Sequence, residues 1–108
     1  MSPLKQTWLI TGASSGLGKS LALEALANGH TVLGTTREVQ AAQKTFPEFE
    51  QFGGTWIALD PGRKDSYDQA VQISEGYDID VVVNNAGYAF IGGVEDTRYV
   101  LEYTQGDG

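Results

Sequence analysis

Strand-like and helix-like segments alternate along this chain, and that alternation restricts the fold more than any other feature. Residues 7–10 (TWLI), 30–36 (HTVLGTT) and 54–59 (GTWIAL) are short runs rich in strand formers. After the first run, Leu17, Leu21, Ala25 and Leu26 recur with a helical period between Gly16 and Asn28, and Gly29 supplies a stop. After the second comes 39–46 (VQAAQKTF), a short helix ended by Pro47, and after the third 64–76 (KDSYDQAVQISEG). Residues 79–87 (IDVVVNNAG) open as a nearly unbroken apolar strand, the pattern of a strand covered on both faces. Strand–helix three times over, then a fourth strand, predicts a parallel sheet with right-handed crossovers and helices on both faces. That is half of a doubly wound α/β domain. The glycine-rich stretch 87–93 (GYAFIGG) reads as a loop after the fourth strand, and 94–103 (VEDTRYVLEY) as the start of a fourth helix.

Composition narrows the functional classes. The 108 residues amount to one domain at most, without repeats, linkers or low-complexity sequence. A net charge of −7, with the acids spread along the chain, argues against nucleic-acid binding as the main activity. No apolar run approaches the ~18 residues of a membrane span, and the N-terminus lacks a signal-peptide pattern, so the expected location is cytoplasmic. With no cysteine, disulfides and thiolate metal sites are excluded. No metal site is expected.

The turn between the first strand and first helix, TGASSGLG (11–18), carries the chemistry. Gly12 permits a tight turn, Gly16 lets backbone approach a pyrophosphate, and Gly18 lets the helix pack closely on the sheet. The free N–H groups and positive dipole end of the helix then face the anion. Ser14 and Ser15 add hydroxyl donors. Lys19 reads as a helix-surface lysine, and His30 as a turn residue entering a strand.

TGASSGLG together with NNAG (84–87) strongly resembles the short-chain dehydrogenase/reductase family, whose glycine spacing is TGxxxGxG. IDVVVNNAG and the acid ending the third strand, in ALD (58–60), fit the same pattern, and the similarity covers about residues 7 to 97. The resemblance implies a partial Rossmann-like sheet of about four strands in the order 3-2-1-4, forming the N-terminal, dinucleotide-binding half of such a domain across residues 1–108. Residues 99–108 read as a tail unlike the family. It also implies that Gly12, Ser14, Ser15, Gly16, Leu17 and Gly18 line the dinucleotide phosphates. Asp60 would accept from the adenine amino group, and Asn85, Ala86 and Gly87 would pass beneath the adenosine ribose. Asn85 would also tie the fourth strand to its neighbours. Pro61 is a departure, standing where the family usually has a hydrophobic residue after the acid, and it can still shape that wall of the adenine pocket.

The second strand ends in Thr35, Thr36 and Arg37, where an NAD-preferring relative would carry an acid near Thr36. A carboxylate there would bond the ribose 2′-hydroxyl and repel a 2′-phosphate; a guanidinium clasps that phosphate with charge-assisted bonds. The expected cofactor is NADP(H) rather than NAD(H), with hydroxyl donors from Thr35 and Thr36.

The family's hydride transfer uses a tyrosine, a lysine four residues on, a serine and an asparagine. A phenol titrates near pH 10, so something cationic must bring it toward neutrality. Tyr67, Tyr77, Tyr88, Tyr99 and Tyr103 are followed at the fourth position by Val71, Val81, Gly92, Tyr103 and Asp107. None is lysine. No catalytic residue is therefore assigned, and Tyr99 and Tyr103 read as one apolar face of the nascent helix. A fourth strand without its usual outer neighbour would leave Val81–Val83 at an exposed edge, so self-association through that strand or the fourth helix is expected. Three roles follow from different classes: a cofactor-binding module without turnover, an enzyme whose site is rebuilt in an oligomer (Tyr88, Glu95 and Asp96 being the residues placed to try), and an interaction protein that pairs with a full-length relative.

Overall fold

A computed structural model describes residues 5–14, 16–60, 64–85 and 99–102. Five strands, β1 (Thr7–Ile10), β2 (Thr31–Thr36), β3 (Thr55–Ala58), β4 (Val81–Asn84) and β5 (Tyr99–Glu102), form one parallel sheet in the order β3-β2-β1-β4-β5. The expected 3-2-1-4 order is present, with one strand added. Helices α1 (Gly16–Ala27), α2 (Val39–Thr45), α3 (Pro47–Gln51) and α4 (Ser66–Tyr77) connect the first four strands.

Alternate residues of each strand enter different cores, as a sheet covered on both faces requires. Ile10, Val32, Val81 and Val83 pack with Ala22 and Ala25 of α1, Ala42 of α2, and the aromatic group Phe46, Phe49 and Trp56. Leu9, Leu33 and Val82 pack with Leu59 and Ile79 on the other face, where Ile73 of α4 closes over them. Val81, Val82 and Val83 are all buried, so β4 is an interior strand.

Two elements differ from the sequence reading. The helix over 39–46 stops at Thr45, and a second short helix, α3, starts at once with Pro47 in its first turn. Proline interrupts one helix yet suits the first position of the next, where its missing N–H would have been unpaired anyway. It turns Phe49 into the core beside Phe46 and Trp56, with ring centroids 5.6 and 4.3 Å from Phe49.

The second difference corrects two expectations. Residues 99–102 are a strand, not part of a fourth helix; the rest of the expected helix, 94–98 and 103, lies outside the described residues. Tyr, Val and Leu suit a strand, and pairing with β4 satisfies backbone groups that a helix would have left open on that strand's outer side. Val81 stands opposite Tyr99 and Asn84 opposite Glu102. The exposed β4 edge from which self-association was expected is therefore absent, because β5 covers it.

His30 is more than a turn residue. Its Nδ1 accepts the Gln6 N–H at 3.1 Å, and its ring stacks on Trp8 with centroids 5.6 Å apart, fastening the start of β2 to the approach to β1. Across the sheet, Asp80 Oδ2 accepts the Thr7 N–H at 2.9 Å while the Asp80 N–H reaches the Thr7 carbonyl at 2.9 Å. These bonds set the register that brings the strand ends level at the opposite rim.

Candidate functional site

At that rim the chain leaves β1 through Thr11–Ser14 and enters α1 at Gly16. Gly12 (φ 63°) and Gly16 (φ 57°) both occupy the left-handed region, which side chains disfavour. The turn is held by both strands that flank β1. From β4, the Val83 carbonyl accepts the Thr11 N–H at 3.0 Å and the Thr11 hydroxyl at 3.3 Å. Just beyond β4, Asn85 Nδ2 donates to the Gly12 carbonyl at 3.1 Å. From β2, Thr35 accepts the Gly12 N–H on Oγ1 and the Ala13 N–H on its carbonyl, each at 3.3 Å.

Gly18 is what allows α1 to come this close. A Cβ there would stand 2.4 Å from the Gly12 carbonyl oxygen and 2.7 Å from Asn85 Nδ2. The turn, the helix start and Asn85 thus form one packed unit, and the first N–H groups of an α-helix have no acceptor within the helix itself.

Beside this unit lies a cleft of about 590 Å³. Gly12 and Ser14 of the turn form one wall, Thr36 and Arg37 at the end of β2 another, and Asp60 beyond β3 a third. The far side is α2, through Ala41, Ala42 and Thr45, with Glu38 at its start and Thr35 beneath. Five of the residues assigned from sequence, Gly12, Ser14, Thr36, Arg37 and Asp60, therefore converge on one cavity. Arg37 is exposed at the rim and Asp60 is half-buried.

The other assigned residues are placed differently. Gly16 and Leu17 are exposed at the start of α1, and Leu17 points to solvent at 36% exposure. Gly18 and Asn85 lie behind the turn as packing and tying groups. Ser15, Ala86 and Gly87 lie outside the described residues, as do Tyr88, Glu95 and Asp96. Among the described residues no cluster of three or more His, Asp or Glu side chains could hold a metal ion, and no helix is long and apolar enough to cross a membrane.

Sequence reasoning missed the contribution of α2, because a helix flank has no motif until the cleft is assembled. It also gave Thr35 a different part. This residue was expected to offer a hydroxyl to a ligand; it is instead fully buried and accepts from the turn. Residues 13–20 come within one residue of the phosphate-loop pattern GxxxxGK(S/T), with Ala13 at the first glycine. In such loops the lysine reaches the phosphates, whereas Lys19 Nζ sits 4.8 Å from the Phe46 ring centroid, as a cation–π contact between α1 and the α2–α3 junction. That geometry favours a dinucleotide turn over a triphosphate loop.

The donor set has the chemistry that an adenosine dinucleotide requires: a helix start and a serine suited to a pyrophosphate, a guanidinium and a threonine suited to a further phosphate, and a carboxylate able to accept from an amino group. The short chain dehydrogenase family profile matches residues 6–104, beyond the 7–97 over which the motifs carry the resemblance and into the tail expected to be unlike the family. The oxidoreductase claN of Passalora fulva is 42% identical over 103 residues, covering 94% of this chain and 47% of that protein. The structure of Pseudomonas aeruginosa RhlG with NADP superposes with a TM-score of 0.68 at 28% identity, over 80% of this chain and 35% of that one. The NADH-dependent reductase A1-R′ of alginate metabolism gives 0.58 at 25% identity, over 77% and 36%. The chain thus spans less than half the length of these relatives.

Proposed function

We propose that this chain, which belongs to the short-chain dehydrogenase family, binds NADP(H) in the cleft between the Gly12–Ser14 turn and α2, and is the cofactor-holding half of an oxidoreductase. The observation that carries this reading is the convergence of Arg37 and Thr36 with the glycine turn and Asp60 on one cavity. When bound, the nicotinamide supplies a hydride or accepts one. The residues of this chain bind and orient. The N–H groups at the start of α1 and Ser14 receive the pyrophosphate, Thr36 and Arg37 receive the 2′-phosphate, and Asp60 accepts from the adenine amino group.

Relatives of both cofactor types share the fold, so preference rests on Arg37. An acid at that strand end would repel a 2′-phosphate; a guanidinium attracts it. A hydrogen bond to a charged partner is worth about 1.5–3 kcal/mol, or roughly a 10- to 150-fold change in affinity. No tyrosine in the 108 residues is followed by lysine at the fourth position, so binding by this chain is proposed without turnover of its own. Calorimetric titration with NADPH and NADH tests the reading. NADPH is expected to bind more tightly, and Arg37→Ala to remove that preference while leaving NADH affinity unchanged. Equal affinities in the parent protein would remove the basis for the NADP assignment.

A further inference from the structure

We infer that Thr35 is a positioning residue: it fixes the phosphate-facing turn from the neighbouring strand, without touching the ligand. The inference rests on the dinucleotide reading above. Thr35 is fully buried (0% exposed), so its side chain is not offered to a ligand in the cleft. Its two oxygen atoms are taken up instead by consecutive N–H groups of the turn. The hydroxyl oxygen accepts from Gly12 and the carbonyl from Ala13.

Strand register makes this possible. Ile10, the last residue of β1, stands opposite Gly34. One step further the β1 chain has left the sheet for the turn, while β2 continues through Thr35 to Thr36. Thr35 therefore lies level with the departing backbone and can hold it. Gly12 is in the left-handed region, where no side chain restrains it, so the restraint has to come from outside the turn.

Positioning and direct contact have different signatures. Loss of the Thr35 hydroxyl leaves the Gly12 N–H without its acceptor and loosens the turn under the pyrophosphate, which NADH and NADPH share. Loss of Arg37 affects only the ligand that carries the extra phosphate.

The test combines calorimetric titration of NADPH and NADH with amide hydrogen exchange of the ligand-free protein, in the parent and in Thr35→Val, Thr35→Ser and Arg37→Ala. Thr35→Val is expected to weaken both nucleotides by the same factor, about tenfold, as for one lost buried hydrogen bond. It should also accelerate exchange of the Gly12 amide, while Thr35→Ser restores both properties. Arg37→Ala should weaken NADPH alone. Should Thr35→Val fail to fold, Thr35→Ala removes the hydroxyl without adding bulk, and the same two readouts apply. Parental affinity and parental Gly12 exchange in the hydroxyl-free variant would overturn the inference while leaving the dinucleotide reading intact, as would Thr35→Ser failing to rescue. If the parent binds neither nucleotide, the reading falls and the inference with it.

Discussion

Replacing Gly18 by alanine should destabilise the protein, although alanine is the better helix former. Within a helix the exchange is worth about 0.5–1 kcal/mol in favour of alanine. Here the added methyl would stand 2.4 Å from the Gly12 carbonyl oxygen, 2.7 Å from Asn85 Nδ2 and 3.2 Å from the Ala13 Cα. Two of these atoms are backbone of the turn, and the third belongs to a buried side chain bonded to Gly12. None can swing away, so α1 must shift outward or the turn must open. Overpacking of this kind costs about 1–3 kcal/mol, and loss of the Asn85–Gly12 bond adds about 1 kcal/mol. After the helix gain is subtracted, a net loss of about 2 kcal/mol is expected, or roughly 8–16 °C in Tm for a domain of this size.

Gly76 provides the control. It lies in α4, and a Cβ there meets nothing within 4 Å, so Gly76→Ala should stabilise by up to about 1 kcal/mol. Urea denaturation followed by the fluorescence of Trp8 and Trp56 reads both variants in one assay. Gly18→Ala matching or exceeding the parent's stability would refute the close-packing account of the turn.

The contacts around the turn give further expectations. Lys19→Met keeps the length of the side chain and removes the charge over Phe46; it should cost about 0.5–1 kcal/mol in urea denaturation, and no change would mean the cation–π contact contributes nothing. Asn85→Ala removes the donor to the Gly12 carbonyl but also removes Oδ1, a buried atom without a hydrogen-bond partner, so its cost should stay near 1 kcal/mol. Asn85→Asp sets a carboxylate against that carbonyl, and should be the less stable of the two at neutral pH. The reverse order would show that Asn85 does not donate as described.

Much of this architecture was legible in the sequence, for reasons that differ by element. The apolar run at Val81–Val83 read as a strand covered on both faces because burial on both sides removes alternation, and all three residues are buried. The role of Gly18 was legible because glycine in an otherwise helical pattern needs a steric reason. Residues 99–102 were misread because Tyr, Val and Leu serve a helix face or a strand equally well over so short a run. What decided between them was the free side of β4, which exists only once the sheet is built. α3 was missed because Pro47 is both a stop signal and a first-turn residue. The cleft was half legible: Gly12, Ser14, Thr36, Arg37 and Asp60 belong to motifs, whereas Ala41 and Thr45 line it only through the placement of α2. Thr35 was assigned a ligand-facing hydroxyl because sequence gives no register; the Ile10–Gly34 pairing turns that hydroxyl toward the Gly12 amide.

The central claim is that one cleft receives the dinucleotide, with its 2′-phosphate at Arg37. The most direct measurement is a titration of ¹⁵N-labelled protein with NADPH, followed by backbone amide shifts and repeated with NADH. The account requires saturable shifts at Gly12, Ser14, Thr36, Arg37 and Asp60, with those at Thr36 and Arg37 larger for NADPH than for NADH. Shifts confined to other surfaces, or an Arg37 response indifferent to the 2′-phosphate, would contradict it.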